Sequence, residues 1–270
     1  NQPGASGSVG TKSVLDAPRD GYTWASGAAA DLATYPVLGF LDTSIKNDWH
    51  IFLSVANVSV VSVNASKTPY TTFDQLVAAF KANPGKIPVA TAGLSSAGHI
   101  GIELVKKFTG IDYKHVTYDG GNPAVIATVS GETQVTTQLA VEQADMIRGK
   151  KLRPLAVLSD KPLTLEGYGT IAPITKWIKD FQAGPNYFGI FIPKGVPQEV
   201  IDTVSKAWES VIMKSKKIQE YAVARGAVFA PSFGEQAQAN AFAYYQPVAW
   251  LYFDAGKAKV SPDKVGIPKP

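Results

Sequence analysis

The chain has 270 residues, of which 45% are hydrophobic and 10% aromatic, and its formal net charge is +4 at pH 7. It is long enough to bury one large or two small cores, and its basic residues are too dispersed for a nucleic-acid surface. The lack of cysteine excludes disulfides, thiolate catalysis and zinc sites built on sulfur. No apolar run approaches the roughly 18 residues of a membrane-spanning helix.

Short β-rich runs alternate with helical patterns along the chain. The runs are residues 22–26, 58–63, 87–92, 114–118, 133–139, 153–158 and 187–192. Such alternation predicts βα units around mainly parallel sheets. A helix is predicted after Thr72, with an apolar face at Phe73, Leu76 and Phe80, and another over residues 99–109 that ends at Gly110. Beyond residue 192 the pattern changes to long helices.

The stretch TAGLSSAGH, residues 91–99, places glycines and serines between a predicted strand and the helix that follows. Open α/β sheets bind ligands at the carboxyl ends of their parallel strands, where this loop would lie. Free N–H groups of the first helical turn and the helix dipole favour an anion there. Ser95 and Ser96 add hydroxyl donors, so we expect the loop to hold a carboxylate through charge-assisted hydrogen bonds.

A second loop of the same kind, TYDGGNPA (residues 117–124), follows one βα unit later. Asn122 is expected to cap the next helix and Pro123 to occupy its first position. Two such loops on adjacent strands could grip two ends of one small molecule, or one carboxylate from two sides. Glycine, serine and asparagine are also common in ordinary βα turns. Histidines placed like His99 and His115, in a predicted helix and a predicted strand, are more often structural than catalytic.

Enzymatic alternatives lack the motifs that they need. Ser95 and Ser96 do not lie in a GxSxG elbow, no lysine follows the second glycine as a phosphate-binding loop requires, and no GxGxxG follows a strand. No carboxylate cluster indicates a metal site. We therefore expect no catalytic residues, no metal and no cofactor, and a binding protein is favoured over an enzyme.

Several segments, in order, resemble one family. NQPGASGSVG is similar to the family's NRPG segment, and APRDGYTWASG to its PDGYTL strand. The run KANPGKIPVATAGLSSAGHIGIELVKKFTGIDYKHVTYDGGNPAV follows the family's ANPGK, SxGxGSxxH, ELF and VPYKGGxPA motifs almost in order. On these motifs the chain resembles the periplasmic solute-binding receptors of tripartite tricarboxylate transporters, also called Bug proteins.

The resemblance implies an α/β, two-lobed type II periplasmic-binding-protein fold, with two mixed, mainly parallel sheets joined by hinge strands. Residues 1–60 and 189–270 would form the first lobe and residues 61–188 the second. The implied function is a receptor that captures a small mono- or dicarboxylate by lobe closure and delivers it to the membrane permease of the transporter. It would be periplasmic and monomeric, without nucleic-acid partners; the signal peptide for secretion is not present in this chain.

The resemblance also implies a set of ligand-binding residues. In the first lobe they are Ser26, Gly27, Ala28 and, on a later strand, Tyr187. In the second lobe they are Thr91, Ala92, Gly93, Ser95, Ser96, His99, Tyr118, Gly120, Gly121, Asn122, Pro123, Ala124 and Gln138.

The chain departs from the family pattern at some of these positions. The family's first strand and PFxxGG-type loop, which precede NRPG, are not found in this sequence. Ser95 replaces a glycine, Asp119 replaces the lysine of YKGG, and Gln138 is a neutral amide near a position where a charged group would otherwise select the ligand. Aliphatic dicarboxylates, citrate-like acids, aromatic carboxylates and amino acids therefore all remain open as ligands.

Two rival functions share parts of the pattern. The ligand-sensing domain of a transcriptional regulator can have the same fold, but it would carry a DNA-binding helix-turn-helix, and no basic recognition helix is visible at either end. A serine hydrolase using Ser96 and His99 would need an acidic residue to orient the histidine, and turnover of activated esters would reveal it.

Overall fold

The structure is a computed structural model that describes residue 2, residues 4–181 and residues 184–270. Asn1 and Pro3, in the segment similar to the family's NRPG motif, lie outside the described residues, as do Gln182 and Ala183.

The chain divides into two compact units. The first consists of Asn1–Ala56, Pro185–Ala222 and Val228–Pro270, and the second of Asn57–Gly184 and Val223–Ala227. The divisions at 56/57 and 184/185 lie slightly before those expected from the sequence, 60/61 and 188/189. Residues 223–227, expected in the first lobe, belong to the second unit, in which Arg225 forms an ion pair with Asp145 at 2.6 Å.

The first unit combines helices with one sheet, and its secondary structure lies on both sides of the second unit in the sequence. Its elements are α1 (Ser8–Asp16), β1 (Ala25–Ala28), α2 (Ala29–Leu38), α3 (Ile45–Asp48), β2 (Trp49–Asn57), β10 (Asn186–Pro193), α8 (Gln198–Ser210), α9 (Lys216–Arg225), β11 (Val228–Phe233) and α10 (Gly234–Asp254). The last residue of β2 and the end of α9 extend into the second unit.

Over the described residues, the sheet of the first unit has the order β1-β10-β2-β11. β1 pairs antiparallel with β10, and β11 pairs antiparallel with β2. Phe52, Ile192, Val204 and Trp208 form a buried cluster between this sheet and α8. The sequence analysis predicted neither β2 nor β11, so it missed half of this sheet and the part of the cluster that these strands carry.

The second unit alternates strands and helices through most of its length. Its elements are β3 (Val60–Asn64), α4 (Phe73–Ala82), β4 (Pro88–Thr91), α5 (Ala97–Thr109), β5 (Lys114–Thr117), α6 (Gly121–Ser130), β6 (Val135–Thr136), α7 (Ala140–Arg148), β7 (Leu152–Val157), β8 (Leu163–Leu165) and β9 (Gly169–Ile171).

The main sheet of the second unit has the order β5-β4-β6-β3-β7 over the described residues. β4 runs parallel to β5 and β6, whereas β3 runs antiparallel to β6 and β7. The predicted α/β fold with mixed sheets is confirmed, but parallel pairing does not predominate as expected. In this sheet it is confined to β5-β4-β6, and the β1-β10 and β2-β11 pairings of the first unit are antiparallel. The run predicted as a strand over residues 133–139 forms only the two-residue β6.

The helices of the second unit pack as their apolar spacing predicts. Phe73, Leu76 and Phe80 of α4 are buried in a core shared with Val89 and Ile102. The Thr72 hydroxyl accepts a hydrogen bond from the Gln75 N–H, which fixes the start of α4. In the described ranges, no helix has the length and apolarity that crossing a membrane requires.

Candidate functional site

Three helices of the second unit begin at the same edge of its sheet. β5, β4 and β6 are neighbours and run parallel, so their carboxyl ends lie side by side. α6, α5 and α7 follow these strands in turn. The first turn of each helix presents N–H groups without intrahelical partners and the positive end of the helix dipole. This edge is therefore the part of the second unit that suits an anion.

The loop between β4 and α5 is shaped by Gly93 and Ser96. Gly93 has φ of 107°, a backbone conformation that residues with a side chain rarely adopt. Its carbonyl accepts hydrogen bonds from the Ser96 N–H at 3.2 Å and the Ser96 hydroxyl at 2.8 Å. The same hydroxyl caps α5 by accepting from the His99 N–H at 3.3 Å. The loop is thus a closed turn that leads the chain into the helix.

Ser95 is the residue of this loop with unused hydrogen-bonding capacity. Its side chain is fully buried, and its Oγ has no hydrogen-bond partner among the described residues. A buried hydroxyl without a partner costs on the order of 1–3 kcal/mol, which a ligand oxygen at this position would recover. Ser95 therefore has an unused hydrogen-bond donor just before the start of α5.

His99 lies behind the loop as a structural residue. Its ring is fully buried, its Nδ1 is 2.7 Å from the Leu94 carbonyl oxygen, and it stacks on His115 with 4.3 Å between centroids. Its Nε2 is 3.6 Å from Glu103, whose carboxylate also accepts from the Tyr113 hydroxyl. Since the Ser96 hydroxyl donates to a backbone carbonyl and not to this ring, the geometry does not support a serine nucleophile activated by His99.

The strand below the loop holds these rings in place. The Thr91 hydroxyl, fully buried at the end of β4, lies 2.6 Å from Nε2 of His115 on β5. This contact joins the two parallel strands beneath the loop, so the rings support the loop from the interior of the unit.

The second predicted loop leads into α6, but not with the predicted cap. Gly120, with φ of 121°, is the N-cap, and α6 starts at Gly121. Asn122 and Pro123 are therefore the second and third helical residues, and the prediction that Asn122 caps the helix was wrong. The glycine pair can make the turn without a capping side chain, so the helix starts earlier. Asn122 and Pro123 are exposed, whereas Ala124 is buried.

Tyr118 lies on this second loop, at the end of β5. Its hydroxyl donates to Glu132 Oε1 at 2.8 Å, and burial together with this carboxylate raises the pKa of Tyr118 to about 12. The phenol therefore stays protonated and is held against the far end of α6.

A carboxylate that the sequence analysis missed lies among these helix starts. Glu142, in the first turn of α7, accepts the Leu139 N–H at 3.1 Å and the Gln138 side-chain amide at 3.2 Å, both through Oε2. A Cβ at Gly121 would overlap the Glu142 carboxyl group, so this group lies directly against the start of α6. The signal was available, because a glutamate three residues into a helix often accepts from the cap residue.

Gln138, predicted as a ligand residue, is 2% exposed and lies between α5 and Glu142. A Cβ at Gly98 would overlap its Oε1, so the amide packs directly on the first turn of α5. Oε1 has no hydrogen-bond partner among the described residues. The side chain therefore connects two of the helix starts.

The candidate residues of the first unit lie on β1 and β10. The Ser26 hydroxyl donates to the Gly189 carbonyl at 3.1 Å, Gly27 has open space around its Cα, and Ala28 is the N-cap of α2. Tyr187 is a partly exposed residue of β10. This unit too has a carboxylate in the first turn of a helix, Asp31 of α2, and burial raises the pKa of that group well above its usual range.

The predicted site residues thus fall into two groups. The structure brings together at one sheet edge those of the second unit: Thr91, Ala92, Gly93, Ser95, Ser96, His99, Tyr118, Gly120, Gly121, Asn122, Pro123, Ala124 and Gln138. Ser26, Gly27, Ala28 and Tyr187 belong to the first unit. Within the described part of the chain, no group of three or more metal-ligating side chains is placed to hold an ion.

Ser96→Ala is expected to loosen the start of α5. Losing both hydroxyl hydrogen bonds should cost about 1 kcal/mol of unfolding free energy and increase amide hydrogen exchange over residues 97–100. Ser130→Ala, at the exposed end of α6, is the matched control and should change stability by less than about 0.5 kcal/mol. Equal effects of the two substitutions on exchange at residues 97–100 would contradict the role of Ser96 as the cap.

Curated relatives align with most of the chain. The UPF0065 protein of the tcbD–tcbE intergenic region of Pseudomonas sp. (strain P51) is 29% identical over 76% of this chain and 61% of its own length. Protein BugT of Bordetella pertussis is 29% identical over 84% of this chain and 69% of its own length. The chain therefore spans about three fifths to two thirds of the length of these relatives.

Solved structures share the fold. The periplasmic binding protein BugD is similar with a TM-score of 0.85 at 23% identity, covering 96% of this chain and 85% of that one. An R. palustris protein solved with adipate gives 0.83 at 22% identity, covering 95% and 85%. MatC of Rhodopseudomonas palustris, solved with malate, gives 0.74 at 18% identity, covering 97% and 85%.

The sequence motifs and the fold agree with a match to a family model. The model described as tripartite tricarboxylate transporter family receptor matches residues 1–245, most of the chain. The chain therefore belongs to the tripartite tricarboxylate transporter receptor family.

Proposed function

We propose that the chain is a solute-binding receptor that captures a small organic carboxylate outside the cytoplasm and passes it to the permease of a tripartite tricarboxylate-type transporter. The observation that carries the proposal is the start of α5. There, free N–H groups and the buried, unpartnered Ser95 hydroxyl lie at the carboxyl ends of parallel strands. A carboxylate is the small anion that this set of neutral donors suits.

The remainder of the proposal follows from family membership. The two units would act as the receptor's two lobes, capture would proceed by lobe closure, and Ser26, Gly27, Ala28 and Tyr187 would be the first unit's contribution. The receptor would be a periplasmic monomer. It would not be an enzyme, because the Ser96 hydroxyl donates to the Gly93 carbonyl and not to His99.

A thermal-shift screen of the purified chain against organic acids tests the function. Adipate and malate, which the similar R. palustris proteins contain, are the first compounds, followed by citrate-like, aromatic and amino acids. A ligand at 100 times its Kd stabilises the folded state by about 2.7 kcal/mol, so a bound carboxylate should raise the Tm by several degrees.

The matched controls are the uncharged amides of the same acids, which should leave the Tm unchanged. Stabilisation by an amide equal to that by its acid would contradict recognition of a carboxylate. A well-folded chain, free of bound ligand, that responds to no acid would contradict the receptor function.

A further inference from the structure

The sheet edge of the second unit already contains a carboxylate of the protein itself. Glu142 lies against Gly121 at the start of α6 and accepts the Leu139 N–H at the start of α7. Each of these helix starts would otherwise present free N–H groups and a positive dipole end. The same glutamate thus lies at two of the three helix starts of this edge.

The third helix start, that of α5, has a neutral neighbour. The Gln138 amide packs on Gly98 with its oxygen and donates its N–H to Glu142 at 3.2 Å. Two buried polar atoms without partners in the described chain, Ser95 Oγ and Gln138 Oε1, lie at this start. Unused hydrogen-bonding capacity is therefore concentrated at α5, while the Glu142 carboxyl group lies against the start of α6 and accepts the N–H of Leu139 at the start of α7.

We propose that Glu142 is a specificity-determining residue: it is the resident anion of α6 and α7, so the second unit accepts a single ligand carboxylate, at α5. The inference rests on the proposed function and names its ligand class. The part of the ligand that faces Gln138 and Glu142 is then uncharged or a hydrogen-bond donor, such as a hydroxyl or ammonium group, because a second carboxylate there would meet a like charge.

The charges around Glu142 support this assignment. On α7, Asp145 is paired with Arg148 and Arg225, at 3.0 Å and 2.6 Å. Asp119, before α6, is exposed. Among the described residues, no basic side chain forms an ion pair with Glu142, so nothing but the helix starts and neutral donors compensates its charge.

On α5, the titratable groups behind the first turn are His99 and Glu103, which lie 3.6 Å apart. Burial raises the pKa of Glu142 to about 7, and the Leu139 N–H opposes this shift only in part. As the pH rises through 7, Glu142 becomes fully anionic and should weaken carboxylate binding at α5. By linkage, a bound carboxylate should in turn raise the pKa of Glu142.

Acetate is the probe, because it is a single carboxylate that remains ionised from pH 5.5 to 8.5. Backbone amide shifts are followed by NMR during acetate titration of the whole chain. In the wild-type protein, we expect shifts at residues 96–98 and none at residues 121–122. The affinity at 96–98 should fall roughly tenfold between pH 5.5 and 8.5, the size expected for a like charge one amide away.

Two substitutions separate occupancy from charge. Glu142→Ala vacates the start of α6, so acetate should now shift residues 121–122. Glu142→Gln keeps the shape and the acceptor for Leu139 but never ionises, so the pH dependence at 96–98 should disappear. Glu166→Gln, an exposed glutamate of the same unit, is the matched control and should behave as wild type.

Each result of these titrations either supports or contradicts the inference. Acetate shifts at 121–122 in the wild-type protein at pH 8, or none there in a folded Glu142→Ala, overturn the inference. An acetate affinity at residues 96–98 that still depends on pH in Glu142→Gln also overturns the inference. This second variant provides the test if Glu142→Ala does not fold. Acetate shifts gained at 121–122 with none at 96–98 in any protein would leave Glu142 as the resident anion and count against the proposed function instead.

Discussion

Replacing Gly189 by alanine is expected to destabilise the first unit by about 3 kcal/mol or more. Gly189 is in β10, and a Cβ there would overlap the Phe52 carbonyl oxygen and lie 2.8 Å from the Leu53 Cα. Both are backbone atoms of β2, which cannot move away freely. Phe52 is 2% exposed, and the centroid of its ring lies 5.4 Å from that of Trp208. The Leu53 carbonyl accepts a hydrogen bond from the Trp208 indole N–H, so both residues of β2 are held by α8.

Gly27→Ala is the matched control for this substitution. Gly27 is paired with Gly189 across β1 and β10, yet a Cβ at Gly27 meets nothing within 4 Å. Alanine there should be neutral or stabilise by up to about 1 kcal/mol, because glycine in a strand loses more backbone entropy on folding. Hydrogen exchange read by mass spectrometry separates peptides of the two units. Equal protection of residues 49–57 in the two variants would show that β10 does not approach β2 as closely as described.

Much of the fold could be predicted from the sequence where the periodicity was strong. The apolar spacing of α4 and the end of α5 at Gly110 agree with the prediction, whereas α5 begins at Ala97, two residues before the predicted start at residue 99. β2 and β11 were missed because their sequences, WHIFLSVAN and VFAPSF, lack clear alternation or turn residues at both ends. Their pairing depends on the Phe52 and Trp208 cluster, a contact between segments far apart in the chain.

The candidate site could be predicted less completely than the fold. The loop after β4 was recognisable, since glycines and serines before a helix indicate a turn with free N–H groups. Glu142 was not singled out: its spacing from Leu139, which fits a capping glutamate, is visible in the sequence, but its contact with the start of α6 depends on tertiary packing, which the sequence order does not show. The cap of α6 was misassigned to Asn122 because sequence preference alone does not distinguish a capping side chain from a glycine turn.

Two of the carboxylates in first helical turns, Asp31 and Glu142, are buried by tertiary packing, and this burial has electrostatic consequences. Asp31 follows β1 in the first unit and Glu142 follows β6 in the second, and burial raises the pKa of both. The first turn of a helix ordinarily favours a carboxylate, so the cost of taking these groups from water outweighs that attraction. Both groups should make the stability of their own unit depend on pH.

Glu142→Gln should stabilise the second unit in alkaline solution and leave it unchanged in acid. The Glu142 carboxyl loses its proton at about 7 in the folded chain and near its ordinary value of 4.5 in the unfolded chain. Its favourable contribution to stability is therefore fully present below about pH 4.5 and is lost as the pH rises to 7. The loss amounts to about 3 kcal/mol at pH 8, and glutamine, which never ionises, avoids it.

Urea unfolding at pH 5, 6.5 and 8, followed by hydrogen exchange of peptides from the second unit, measures this effect. The difference between Glu142→Gln and the wild-type chain should be small at pH 5 and grow with pH until about pH 8. Glutamine keeps the acceptor for the Leu139 N–H, so loss of the α7 cap does not confound the comparison. Glu166→Gln should give no such trend, because its carboxylate is exposed. A Glu142→Gln variant that is less stable than wild type at pH 8 would mean that the helix starts hold this carboxylate ionised, and that burial does not control its proton.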